Sequence, residues 1–215
     1  MLLPALLAGC GSSYDYRYRL VVEVLVDGVV KSGYSVIEVK TWDSSGWGFS
    51  EASGIRSFVR GEAAFVDLGA QGNVVALLRW QPPLGMGLAA GLVQGAFQSM
   101  HPKLDWKQVP SLKGQAELSG RLRPYLVSFS DPNDPTSAKV VAPDAFPAVF
   151  GQGVKLARIY VEMTDEKSSK GVLERRLPWV TNWDKTHAAW KAIEGRGFDS
   201  GGSISSAALF IRRDW

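Results

Sequence analysis

His187 lies one helical turn from both Trp183 and Trp190 and three residues after Asp184. That spacing offers an imidazole general base with a carboxylate to orient it. Asp131, Asn133 and Asp134 offer a second set of oxygens, either a carboxylate pair for hydrolysis or ligands for calcium. Each set has a plainer account. His187 fits half-buried packing between indoles, and the chain holds no H-E-x-x-H, G-x-S-x-G or P-loop pattern. A calcium loop of the EF-hand type wants a ligand at 135 and a glycine at 136, where Pro135 and Thr136 stand. Asx-turns beside proline explain that segment better. No catalytic residue, metal ligand set or cofactor is assigned from spacing, and a hydrolase built on either pair is the alternative reading.

Gly85, Gly87 and Ala90 fit G-x-G-x-x-A, and Asp105 follows at the distance of a ribose-binding acid. Pro82 and Pro83 interrupt the strand-to-helix turn such a motif needs, and no apolar strand leads to Asp105, so a dinucleotide site is not adopted. Gly87, Gly91 and Gly95, four apart, predict a smooth helical strip packed closely on a sheet. Eight tryptophans remain. Trp42 and Trp47 fall in a polar loop, and Trp179 and Trp183 flank a predicted helix start. Exposed indoles present flat apolar faces with one donor, suited to sugar rings, peptides or a lipid interface. With the neighbouring guanidinium groups they make Trp42, Trp47, Arg175, Arg176 and Trp179 the candidate ligand-binding residues.

Cys10 is the only thiol, and it ends the run Leu6-Leu7-Ala8-Gly9-Cys10. Leu7 to Cys10 resembles the lipobox of bacterial lipoproteins. In that family the cysteine takes a diacylglyceryl group, cleavage occurs before it, and its freed amine is acylated, commonly with palmitate. The small Ala8 and Gly9 suit a peptidase cleft closing around the cut. Two or three acyl chains anchor stably, at ~0.8 kcal/mol per buried methylene. Residues 1–9 hold no Lys or Arg, so the expected signal peptide is shorter at its start than such segments usually are. Gly11 and Ser12 follow the cysteine with no Asp beside it, which resembles the default for outer-membrane sorting. The expectation is a signal peptide over 1–9, a tether over 10–15 and one domain over 16–215, anchored at Cys10 in the outer membrane and facing the periplasm. A mature domain without a free thiol suits an oxidising compartment.

The elements that must position these residues read mainly as strands. The chain has 215 residues, 46% hydrophobic and 21% charged, ordinary for a globular domain. Its net charge is +3, and the basic pairs Arg17/Arg19, Arg121/Arg123, Arg175/Arg176 and Arg212/Arg213 are dispersed. Nucleic acid usually demands a continuous basic patch, so these read as solvated arginines on strand edges. Residues 16–26 alternate with period two, Tyr16, Tyr18, Leu20, Val22, Val24 and Val26 on one face. Asp27-Gly28 supplies a tight hairpin turn into a strand over 29–40, with Gly33 marking a bulge. Strands are predicted over 57–68, 73–80, 121–130, 138–141, 154–164 and 203–212. Helices are predicted over 84–97, over 145–150 with Asp144 as cap, and from Thr181 or Asn182 to Glu194. The class is α+β, mainly antiparallel β-sheet or sandwich with two or three short helices.

The stretches Tyr16-Arg-Tyr-Arg-Leu20, Ser35-Val-Ile-Glu-Val39, Pro124-Tyr-Leu-Val127, Phe150-Gly-Gln-Gly-Val154 and Glu174-Arg-Arg-Leu-Pro-Trp179 together resemble a family of uncharacterised small bacterial lipoproteins. The resemblance spans most of the chain and implies no activity or cofactor. The reading at this point is a membrane-anchored binding or scaffold domain of the cell envelope. Its expected partners are the membrane itself, another envelope protein or peptidoglycan, and not nucleic acid. The alternative is an envelope hydrolase acting on cell wall or glycan.

Overall fold

Alternation fails along residues 74–78, where Val74, Val75, Ala76, Leu77 and Leu78 are all apolar and all buried. A strand apolar on both sides must be covered on both faces, and the fold follows from that. The protein is described by a computed structural model, in which the structure describes residues 13–43, 55–80, 89–194 and 206–213. A six-stranded sheet contains β1 (Ser13–Val26), β2 (Val29–Asp43), β3 (Ile55–Glu62), β6 (Gln115–Glu117), β9 (Val154–Met163) and β10 (Ile211–Arg213). Its order is β10-β3-β2-β1-β9-β6. A four-stranded sheet contains β4 (Ala64–Asp67), β5 (Asn73–Trp80), β7 (Pro124–Phe129) and β8 (Ala138–Val140), in the order β4-β5-β7-β8. Every pairing in both is antiparallel. Four α-helices stand among the described residues: α1 (Ala89–Phe97), α2 (Phe146–Phe150), α3 (Val172–Arg176) and α4 (Trp183–Ile193). None is long and apolar enough to cross a membrane. The α+β class with mainly antiparallel sheets is therefore the observed one.

The two sheets and the helices form three layers. One core lies between the alternating inner face of the large sheet, led by Tyr18, Leu20, Val22 and Ile37, and the Val66, Val74 and Ala76 face of the small one, with α1 and α2 at its margins. The second lies between the opposite face of the small sheet, Val75, Leu77, Val127 and Phe129, and Leu173, Trp179, Ala189, Ile193 and Phe210. Buried Asn73 ties β5 to β7, its Nδ2 donating to the Phe129 carbonyl at 2.7 Å and its Oδ1 accepting from the Phe129 N–H at 3.0 Å. It stands in for a ladder bond where both backbone groups are buried.

Several expectations are corrected. β1 begins at Ser13, so Ser13 to Asp15, expected in the tether, pair with β2. Gly33 makes no bulge, because β1 and β2 pair without a shift through Val22 and Gly33. A Cβ at Gly33 would sit 2.0 Å from the Phe65 carbonyl oxygen, so the glycine admits the crossing backbone of β4. The irregularity lies on the other side of β1, opposite β9, between Glu23 and Val24. The single strand expected over 57–68 is two strands in different sheets, which meet at buried Ala63, whose N–H donates to the Phe210 carbonyl. The closing strand is only Ile211–Arg213, preceded by a 3-10 turn over Ser206–Leu209. The cap of α2 is Ala145 without a side-chain bond, so Asp144 does not cap it. Asn182 does cap α4, accepting from the Lys185 N–H at 3.0 Å. The glycine strip is not a shared packing face: a side chain at Gly91 would meet open space and one at Gly95 only Leu122, while Gly87 lies outside the described residues.

Candidate functional site

The chain opens a cleft where β3 leaves β2. The two strands pair from Asp43↔Ile55 up to Glu38↔Arg60 and no further. Beyond that point β3 runs on beside β10, through Ile211↔Glu62. Its place along β2 is taken by Ser169, whose N–H donates to the Val36 carbonyl and whose Oγ accepts from the Val36 N–H, both at 2.9 Å. The fork between these segments is a cleft of about 550 Å³, within the size range of small-ligand sites. Gly61 lies in it, at φ +156°, and a Cβ there would stand 3.0 Å from Ile37 Cγ1 and 3.1 Å from the Val36 carbonyl oxygen. Only glycine keeps that point clear.

Five cations line the cleft: Arg17, Arg60, Lys167, Lys170 and Arg212. Two carboxylates share it, and both are committed. Glu38 accepts from Arg17 Nε at 3.1 Å and Nη2 at 2.9 Å. Glu62, 2% exposed, accepts the N–H groups of Gly171, Val172 and Leu173, and so closes the first turn of α3. Exposed Lys167 and Lys170 leave the cleft mouth positive. Such a site would bind oxyanions: a carboxylate or phosphate entering it exchanges water for charge-assisted bonds in a partly enclosed place.

The outer face of the large sheet carries several further charges as neutralised pairs. Arg19 bonds Glu162 and Glu166, each at 2.6 Å. Glu23 accepts from Arg158 Nε at 2.7 Å and from the Tyr160 hydroxyl at 3.1 Å. The Arg158 bond holds the Glu23 carboxyl below its ordinary range, and the Arg19 bond does the same for Glu166. These side chains build a saturated ladder rather than a site.

The candidate residues from the sequence do not converge. Trp179 is buried, with Phe129 and Phe210 rings 5.3 and 5.5 Å away, and its indole N–H donates to the Pro132 carbonyl at 2.8 Å. It is a core residue and not a binding platform, because Phe129 of β7 and Phe210 cover its ring. Trp42 is exposed but belongs to β2, opposite Ser13, and Trp47 lies outside the described residues. Exposed Arg175 donates to the Gly171 carbonyl, and Arg176 pairs with Asp67 at 3.2 Å and lies over Phe65. Both arginines line a second, shallower hollow of about 630 Å³ between the β4–β5 turn and the end of β7.

The hydrolase pairs fare no better. His187 stacks on Trp183 and tilts against Trp190, and Asp184 is exposed. Asp131 accepts from the Asn133 N–H and Asp134 from the Thr136 N–H and hydroxyl, Asx-turns on open surface. The Thr136 hydroxyl holds the Asp134 carboxyl below its ordinary value. Among the described residues no three metal-type side chains gather. Cys10 and the Gly85 to Ala90 motif, up to Leu88, lie outside the described residues.

Arg60, Lys167 and Lys170 were not singled out from sequence. Arg60 stands more than a hundred residues before the two lysines along the chain, and only Arg17 and Arg212 were marked, as members of dispersed pairs. Compared with known proteins, the chain matches no family model, no curated protein and no solved structure. The resemblance to small bacterial lipoproteins thus rests on the quoted residues alone.

Proposed function

We propose that this chain is a non-enzymatic, lipid-anchored binding domain of the bacterial envelope, held to the outer membrane through Cys10 and facing the periplasm. The cation-lined fork between β2 and β3 is its ligand site. The observation that carries the reading is the charge balance of that fork: both carboxylates are engaged by their own partners, and two exposed lysines remain at its mouth. The fork is concave, which favours a discrete oxyanion over a flat bilayer surface. Within an envelope the fitting ligand is a carboxylate of a peptidoglycan stem peptide. Support for the anchor is the Leu7 to Cys10 pattern.

The test has two arms. Intact mass of membrane-extracted protein should show a chain starting at Cys10 with diacylglyceryl mass, absent in Cys10→Ser; an unprocessed, unmodified chain sinks the anchor. For the site, a soluble muropeptide with free carboxylates should bind, and Lys167→Ala with Lys170→Ala should weaken it roughly tenfold or more, a loss of about 1.4 kcal/mol. The wild-type affinity should also fall with added salt. Equal binding by an amidated muropeptide, or by the double variant, removes the fork from consideration.

A further inference from the structure

β2 has an edge along which no strand runs among the described residues. Asp27 and Gly28, at φ 48° and 83°, form a two-residue turn, so Val26 and Val29 close the hairpin as a hydrogen-bonded pair. From there the parity alternates. Lys31, Gly33 and Ser35 turn their backbone groups to β1, and Val30, Ser32, Tyr34 and Val36 turn theirs away. The bonds of Val36 to Ser169 follow that parity. β3 pairs with β2 only over Glu38 to Asp43. The outward N–H and C=O groups of Val30, Ser32 and Tyr34 therefore face no neighbouring strand among the described residues. Val30 is 55% exposed and Tyr34 51%, large values for apolar side chains on a paired strand. The Tyr34 ring is held by the Arg19 guanidinium 5.3 Å above it. Beside this edge lies a hollow of about 140 Å³, which Ser32 and Tyr34 share with Phe65 and Asp67 of β4 and with exposed Val172 and Arg176 of α3.

We propose that this edge receives an extended peptide, which adds to β2 as an antiparallel strand between β2 and α3, with an acidic side chain opposite Lys31 and apolar side chains on the Val30 and Tyr34 face. Strand addition of this kind takes affinity from main-chain bonds and selectivity from alternate side chains. Charge selects the occupant. Exposed Lys31 stands in the middle of the free edge, on the face opposite Val30 and Tyr34. A second copy paired about Ser32 would set each Lys31 opposite a Gly33 and bring two ammonium groups into diagonal contact with no carboxylate between them, which disfavours self-pairing. An acid at that register neutralises Lys31 instead. The proposal does not depend on the oxyanion fork, which opens further along β2.

The test uses the full chain and an end-blocked fluorescent peptide, Val-Thr-Val-Glu-Val, followed by anisotropy. Saturable binding is expected. Replacing the glutamate by lysine should weaken it roughly tenfold, the effect of ~1.4 kcal/mol. Lys31→Glu should reverse the preference between the two peptides. Ser32→Pro deletes one outward N–H while leaving the bonds to β1, as edge prolines do, and should abolish binding with the fold intact by circular dichroism. N-methylation of the central valine should abolish it with no change in the protein at all. Binding that is unmoved by N-methylation or by the peptide's charge overturns the proposal, as does no saturable binding. So does a dimer by sedimentation that Ser32→Pro dissociates, since a second copy then holds the edge.

Discussion

Trp179 sits between Phe129 and Phe210 and gives its only donor to Pro132. Trp179→Ala should cost roughly 3–5 kcal/mol, the range for truncating a buried indole. Trp42→Ala should stay within about 0.5 kcal/mol, as exposed substitutions do. Urea midpoints decide both, and a wild-type midpoint for Trp179→Ala would put that indole outside the core. The contrast marks how far single residues were legible. Tryptophan type and proximity to proline are the same for a platform and for a core anchor. What separates them is whether another layer covers the ring, and the covering groups, Phe129 and Phe210, come from β7 and from the last described turn. The alternating core residues of β1 were legible because burial on one face of a strand leaves a period of two in the sequence.

At the scale of elements, α3 shows what periodicity misses. It has five residues, too few for a helical pattern, and its start is held by Glu62, which lies 109 residues before Gly171. Glu62→Gln keeps the shape but replaces an acceptor-only carboxylate by an amide, and should cost about 1.5–3 kcal/mol, the worth of bonds to a charged group. Amide exchange at 171–173 should quicken ahead of the rest of the chain. If those amides stay as protected as in the wild type, the carboxylate is not what holds the turn. Elements with local signals were read well: Asp27-Gly28 made its hairpin, and Asn182, one of two residues offered as the start of α4, caps it. The strand over 57–68 was misread because both halves are apolar enough for a strand, and nothing local states that Ala63 is a corner between sheets.

For the molecule as a whole, the two sheets come close together at Gly33, where β4 crosses beneath β2. Gly33→Ala should destabilise by about 3 kcal/mol, at the upper end for overpacking, since the clashing atom is backbone and cannot turn aside. Gly91→Ala, on an open face of α1, is the control and should be neutral or stabilising by up to about 1 kcal/mol. Thermal melts of the two variants check the pair; equal melting temperatures would mean the sheets are free to separate at Gly33. Taken alone, the amino-acid order determined most of the longer strands, the β1–β2 turn and the mainly antiparallel class, because pleat, turn conformation and capping depend on residues within a few positions of one another. The tertiary structure alone decided that residues 57–67 serve two sheets, that Trp179 is covered, and that Arg17, Arg60, Lys167, Lys170 and Arg212 share one cleft. These are contacts between residues far apart in the chain, and no local period or spacing encodes them.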